Sequence, residues 1–152
     1  MPYSQFSIDV ISETFGFTIS DKIGIFSDVP AVDYSTLLAQ TIKEYIPLAV
    51  AIGTEKSRSE FIIAPILFEV KKQLVNRISL FSGKEFNVAP EIGLSGFCDF
   101  LISLSPEQLF IQAPVVTIVE AKNDNIQLSL GQCIAEMIAA QLFNQRKEGT
   151  YK

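Results

Sequence analysis

Three charged residues sit where apolar segments end, and their types can do chemistry together. Asp99 lies inside the run Gly96-Phe97-Cys98-Asp99-Phe100-Leu101-Ile102-Ser103-Leu104, and Glu120 and Lys122 close the run Pro114-Val115-Val116-Thr117-Ile118-Val119. A charge at the end of a buried strand is costly unless it is paired, hydrated or metal-bound. Side chains two apart on a strand share a face, so Glu120 and Lys122 project together beyond Val116 and Ile118. Asp99 follows Phe97 on the face of its own strand. If the two strands pair, Asp99 and Glu120 come close enough to share a hard cation such as Mg2+, which takes carboxylate oxygens and keeps waters. Lys122 can then hold, and deprotonate, a water aimed at phosphorus. That chemistry is metal-assisted phosphodiester hydrolysis.

The elements that must position these groups follow from patterning. Residues Phe6 to Phe26 alternate loosely between punctuating Gly16, Asp21 and Gly24, which predicts one or two short strands. A helix is expected from about Asp33 to Val50, with Leu37, Leu38, Ile42, Tyr45 and Ile46 near one face and Pro47 bending or ending it. Ser57-Arg58-Ser59-Glu60 matches a capping box and opens a second helix to about Val75, with Pro65 near its start. Three strand-like runs follow: Ile78 to Phe86, broken by a turn at Ser82-Gly83-Lys84; Leu94 to Leu104; and Pro114 to Lys122. A last helix spans about Ser129 to Gln145, where Gly131, Ala135 and Ala139 form a small-residue face for close approach to a sheet. The order helix, helix, strand, strand, strand, helix describes one α/β domain (α+β in some schemes). It divides into an N-terminal extension over 1–53, a core over 54–145 and a tail over 146–152.

Bulk composition narrows the function classes. Nearly half the residues are apolar and twelve are Phe, as in a globular chain large enough to bury a core. The net charge of −5 gives no global pull toward nucleic acid, so such contact must rest on a local patch. Lys71, Lys72, Arg77, Lys84, Arg146 and Lys147 are scattered, and a solvated face explains them equally well. No histidine exists, which removes the usual Ser-His-Asp and Cys-His hydrolases. Cys98 and Cys133 have no zinc-type spacing and read as buried thiols in a reducing cytoplasm. The N-terminus shows no targeting pattern, and the most apolar windows, Ile46 to Ile52 and Ile134 to Phe143, are shorter than the roughly 20 residues of a membrane span. The expectation is a soluble cytoplasmic protein without a membrane partner.

Asp99, the Glu120-Ala121-Lys122 triplet and the downstream helix with Gln132 resemble the PD-(D/E)XK nuclease superfamily. The run Ser59-Glu60-x-x-Ile63-x-Pro65-x-Leu67 is similar to the nuclease domain of type I restriction-enzyme motor subunits and small relatives, and the resemblance covers about Ser57 to Phe143. It implies a three-layer restriction-endonuclease-like core, with a central mixed sheet flanked by helices. It also implies Mg2+- or Mn2+-dependent DNA cleavage, with Asp99 and Glu120 as metal ligands and Lys122 placing the attacking water. Glu60 would support the metal through a water, and Gln132 would position Lys122 or the DNA backbone. Cys98 stands where the family name has proline. The family core adds a fourth strand after the last helix, but the residues after Phe143 have almost no apolar content. Either the chain is shortened, or a second copy or another subunit completes the sheet.

Plainer readings stand beside these. Glu60 is also explained as a capping-box residue, Asp99 as a strand-end carboxylate satisfied by backbone amides, Glu120 and Lys122 as a rim ion pair, and Gln132 and Glu136 as the exposed edge of their helix. A PD-(D/E)XK fold without turnover, serving as a nucleic-acid or subunit-binding module, is the second expectation. An interaction domain whose polar cluster is only a salt bridge is the third.

Overall fold

A computed structural model describes residues 2–20, 23–123 and 126–148. Where strands were expected near the N-terminus, the chain forms a 3-10 turn at Tyr3–Gln5 and a helix, α1, at Ile8–Phe15. The reason is capping. The Ser7 side chain accepts from the Val10 N–H, and Gly16 ends the helix in the left-handed region at φ 66°. Ile8, Ile11 and Phe15 then share one face, and Ile11 is fully buried.

Helix α2 runs Thr36–Ile52 from an Ser35 cap. Pro47 lies inside it and does not end it; the stop is Gly53, at φ 68°. Pro47 and Lys43 are both exposed, so water can satisfy the carbonyl that loses its helical donor. The expected apolar face is only half used: Leu38 and Ile42 are half-buried, whereas Leu37 is 65% exposed. The α2 N-terminus is tied down from a later helix. The Ser35 N–H and hydroxyl both donate to the Glu69 carboxylate at 2.9 Å, and these bonds hold that carboxyl below its ordinary range.

Gly53 leaves no room between helices, so the next one starts at once. Helix α3, Glu55–Arg58, continues through a π-type turn at Ser59–Ile63 into α4, Ala64–Gln73. Its capping box is Thr54 with Ser57, not Ser57 with Glu60: the two residues satisfy each other's backbone N–H groups at 3.1 and 3.2 Å. The widened turn lies just before Pro65, whose ring would otherwise press on the carbonyl four residues back.

Strands β1 (Ser79–Glu85), β2 (Phe97–Ser103) and β3 (Val115–Val119) form a three-stranded sheet in that order. The sheet is antiparallel throughout rather than mixed. The connections between strands hold no crossover helix, which a parallel pair would require. Helices cover both faces. On one, α1 and the long helix α5, Ile126–Glu148, enclose Phe81, Leu101 and Val115 with Ala135 and Ala139. On the other, Leu67 of α4 packs with Ile78, Phe100 and Ile102. The first residues belong to the core: the Tyr3 N–H donates to Ser95 O and its hydroxyl to Phe86 O. Both cysteines are free, and burial raises their thiol pKa values.

Alternation along β2 breaks at Asp99. Cys98 and Phe100 are two apart, yet Cys98 lies in the first core cluster and Phe100 in the second. The pairs Ser82↔Phe100 and Lys84↔Cys98 set Gly83 opposite Asp99, and Gly83 takes φ 56°. The expected turn at Ser82-Gly83-Lys84 is therefore a kink within a continuous strand.

Among the described residues, Ile126–Lys147 is long and apolar enough to cross a membrane by length and composition alone, which the shorter windows did not anticipate. Here the helix presents Ala135, Glu136 and Ala139 to the protein interior.

Candidate active site

The kink at Asp99 and the end of β3 meet. The Asp99 N–H donates to Glu120 Oε1 at 3.1 Å, and the Ala121 N–H donates to Asp99 Oδ2 at 2.8 Å. Each carboxylate thus caps the other strand's backbone just past the last ladder pair, Phe100↔Val119. This reciprocal clasp keeps two acids side by side despite their repulsion. Lys122 completes the group, with its Nζ 3.4 Å from Glu120 Oε2 and 3.7 Å from Glu55 Oε1.

Helix α5 supports the cluster from behind. Gln132 Nε2 donates to Glu120 Oε2 at 2.8 Å and to Glu136 Oε1 at 3.0 Å. Gln132 therefore holds Glu120 rather than Lys122. Glu136 is not an exposed helix edge: it is fully buried, and its Oε2 accepts from no donor among the described residues. Burial, then the nearby Glu120 charge, pushes its pKa up to about 9. A protonated Glu136 has Glu120 as its acceptor, and that hydrogen bond favours the ionised form of Glu120. The Glu120 pKa is nevertheless raised, first by burial and also by Asp99. Burial opposes charge on Lys122, but Glu120, Glu55 and Asp99 outweigh it and raise its pKa.

Glu60 sits apart from the clasp. It lies on the π-type turn, ion-paired with Lys56 at 3.3 Å and half exposed. It nevertheless shares a cleft of about 290 Å3 with Asp99, whose other walls include Glu55, Ser59, Ser82 and Gly83. A side chain opposite Asp99 would enter this space; Gly83 leaves it open. Sequence reasoning passed over Glu55, Arg58, Gly83 and Asn123. Arg58 Nε donates to Asn123 Oδ1 at 2.7 Å, and Asn123 Nδ2 donates to Gly53 O at 2.6 Å.

The donor set limits which cation it can hold. Among the described residues, no group of three or more His, Cys, Asp or Glu is arranged to hold a metal. A dehydrated four-ligand ion such as structural zinc therefore does not fit. A hard ion that keeps its waters and takes one or two carboxylates does. Asp99 Oδ1 has no recorded donor among the described residues, and its side chain opens on the cleft. Burial first, and then the neighbouring carboxylates, raises the pKa values of Glu120 and Glu136, and a cation beside Glu120 would favour its ionised form.

The buried acid gives a pH signature. Folded Glu136 keeps a proton at pH values where the unfolded chain has lost it. Its contribution is full below the unfolded value of 4.5 and is lost as pH rises toward about 9. In metal-free buffer the parent should lose up to about 1.4 kcal/mol of stability per pH unit across neutrality from this group. Glu136→Gln should flatten that fall in thermal melts taken from about pH 6 to about pH 8. Equal slopes in both proteins would mean that Glu136 is ionised in the fold.

Comparison with protein-family models, with curated proteins and with solved structures finds no match to this chain.

Proposed function

We propose that the chain is a Mg2+- or Mn2+-dependent nuclease that hydrolyses DNA phosphodiesters in the cytoplasm. The observation that carries this reading is the reciprocal Asp99–Glu120 clasp with the Lys122 amine 3.4 Å from the second acid. Asp99 and Glu120 would hold the cation, which supplies Lewis-acid stabilisation of charge on the phosphate.

The chain's own groups do the rest. The Asp99 N–H and Gln132 fix the Glu120 carboxylate at both oxygens, so its geometry is set before substrate arrives. Lys122, with its pKa raised, is a cation at neutral pH. It holds the attacking water and donates to a phosphate oxygen; deprotonating that water is not its task in this state. Gly83 leaves the cleft over Asp99 free for the phosphate, and Glu60 and Lys56 also line it. The outer edge of β3 borders a groove of about 270 Å3, where Asn144 bonds both backbone groups of Val115 at 2.8 Å. A strand from a second copy or another subunit would pair beyond Asn144.

Thermal unfolding in rising Mg2+ or Mn2+ tests the site. At a hundredfold excess over Kd, binding to the native state adds about 2.7 kcal/mol. For a chain of this size that raises the melting temperature by about 5–10 °C. Asp99→Ala should lose the shift. A parent indifferent to both ions would sink the proposal.

A binding module without turnover is the second reading. It is favoured by the absence of a three-acid group among the described residues. Metal-dependent DNA binding with no strand cleavage by the parent would select it.

A further inference from the structure

The chain is acidic overall, so a phosphate strand must be held by local cations placed for that purpose. Helix α3 supplies one. Glu55 and Arg58 are three apart and so lie on one helical face. Both reach the segment that leaves β3: Glu55 pairs with Lys122, and Arg58 with the next residue, Asn123. A structural arginine would be expected to take the carboxylate one turn away. Here that carboxylate goes to Lys122, and among the described residues no ion pair is recorded for Arg58.

The Arg58 fork is also held in one orientation. A guanidinium has five N–H donors, and this one uses Nε on Asn123 Oδ1 at 2.7 Å. Asn123 is itself fixed by donating to Gly53 O at 2.6 Å. No acceptor is recorded for the Nη1 or Nη2 groups among the described residues. The plane is thus anchored at one edge, and among the described residues nothing else takes the two nitrogens suited to bidentate phosphate binding. Arg58 lies on the same short helix whose Glu55 pairs with Lys122.

We infer that Arg58, held in orientation by Asn123, binds a backbone phosphate of the DNA strand next to the one at Asp99 and Lys122. This inference rests on the nuclease reading. Pre-orientation lowers the ordering entropy that binding a long flexible side chain would otherwise require. Planar geometry matters as well as charge, so lysine is not an equivalent replacement.

Fluorescence anisotropy with labelled single-stranded and duplex oligonucleotides, in Ca2+ and in chelator, reads the effect over a salt series. Arg58→Gln should weaken binding about tenfold. It should also reduce the slope of log affinity against log salt by about one. Arg58→Lys should keep the slope but not the affinity, and Asn123→Ala should do the same more mildly. If the parent binds and Arg58→Gln matches it in affinity and slope, the inference is overturned and the nuclease reading survives. A lower melting temperature in Arg58→Gln with an unchanged salt slope assigns the residue to folding alone, which also overturns it. A parent that binds neither oligonucleotide overturns both.

Discussion

Lys122→Ala is expected to lower plasmid cleavage by about 10²–10³-fold, the loss typical of removing one positioned charge donor from a reacting centre. Metal-dependent stabilisation should persist, because the Asp99–Glu120 clasp uses backbone donors that this change leaves in place. The size of the effect follows from how the amine is held. Its side chain is 19% exposed, and Glu120 and Glu55 bind it at 3.4 and 3.7 Å. It therefore meets an incoming phosphate already oriented and largely desolvated, where a charge acts more strongly than in water. The carboxylates raise its pKa, so the cation should persist beyond the ordinary lysine range. Activity lost to Lys122 deprotonation should fall only at alkaline pH. Nicking assays at fixed Mg2+, with thermal shift run in parallel, separate turnover from binding. Cleavage by Lys122→Ala at the parent's rate would remove Lys122 from the chemistry.

The strands around the site were legible because their apolar runs are compact and end in charge. Phe97 to Ser103 and Val115 to Val119 have strand length and β-branched or aromatic content, and the polar residues after Val119 mark the exit. That pattern set Asp99, Glu120 and Lys122 at adjoining strand ends, where they meet. It did not show how, because the clasp works through backbone N–H groups, which side-chain alternation does not register. Nor could it show that Asp99 sits at a break in alternation, since that depends on the positive φ of Gly83 across the ladder.

Other misreadings have equally local causes. Phe15, Phe17 and Ile19 alternate by two and mask the helical spacing of Ile8, Ile11 and Phe15; the caps Ser7 and Gly16 decide the matter. The box expected at Ser57 and Glu60 gives way to one between Thr54 and Ser57, because α2 ends at Gly53 and the next helix starts directly after Thr54. Glu55 falls before the helix expected from Ser57, and Arg58 lies inside its expected capping box; only docking onto Lys122 and Asn123 gives the two their partners. The mixed sheet came from family resemblance and needs a strand beyond the three seen here. The three strands themselves follow one another without a helical crossover, which leaves only antiparallel pairing.

Gly131→Ala should destabilise the protein although alanine is the better helix former. In an open helix this change adds up to about 1 kcal/mol of stability. Here an added Cβ would stand 2.3 Å from Phe6 O and 2.5 Å from the carbonyl carbon of Ser7. Both are backbone atoms, so no side-chain rotation relieves the contact. The N-terminal segment they belong to is fixed by Tyr3, which bonds Ser95 and Phe86, and by the buried Phe6 ring. Overpacking of this kind costs about 1–3 kcal/mol, occasionally more, enough to exceed the propensity gain. The net result should be a melting temperature lower by roughly 3–8 °C. The damage should also reach the site, because Gln132 follows Gly131 directly and Glu136 lies little more than a turn further along the helix. Lifting α5 lengthens the Gln132–Glu120 bond, so metal-induced stabilisation should weaken in the same variant. A rise in melting temperature would mean that the N-terminal segment yields easily. The small-residue face of α5 would then no longer be what holds Gln132 against Glu120.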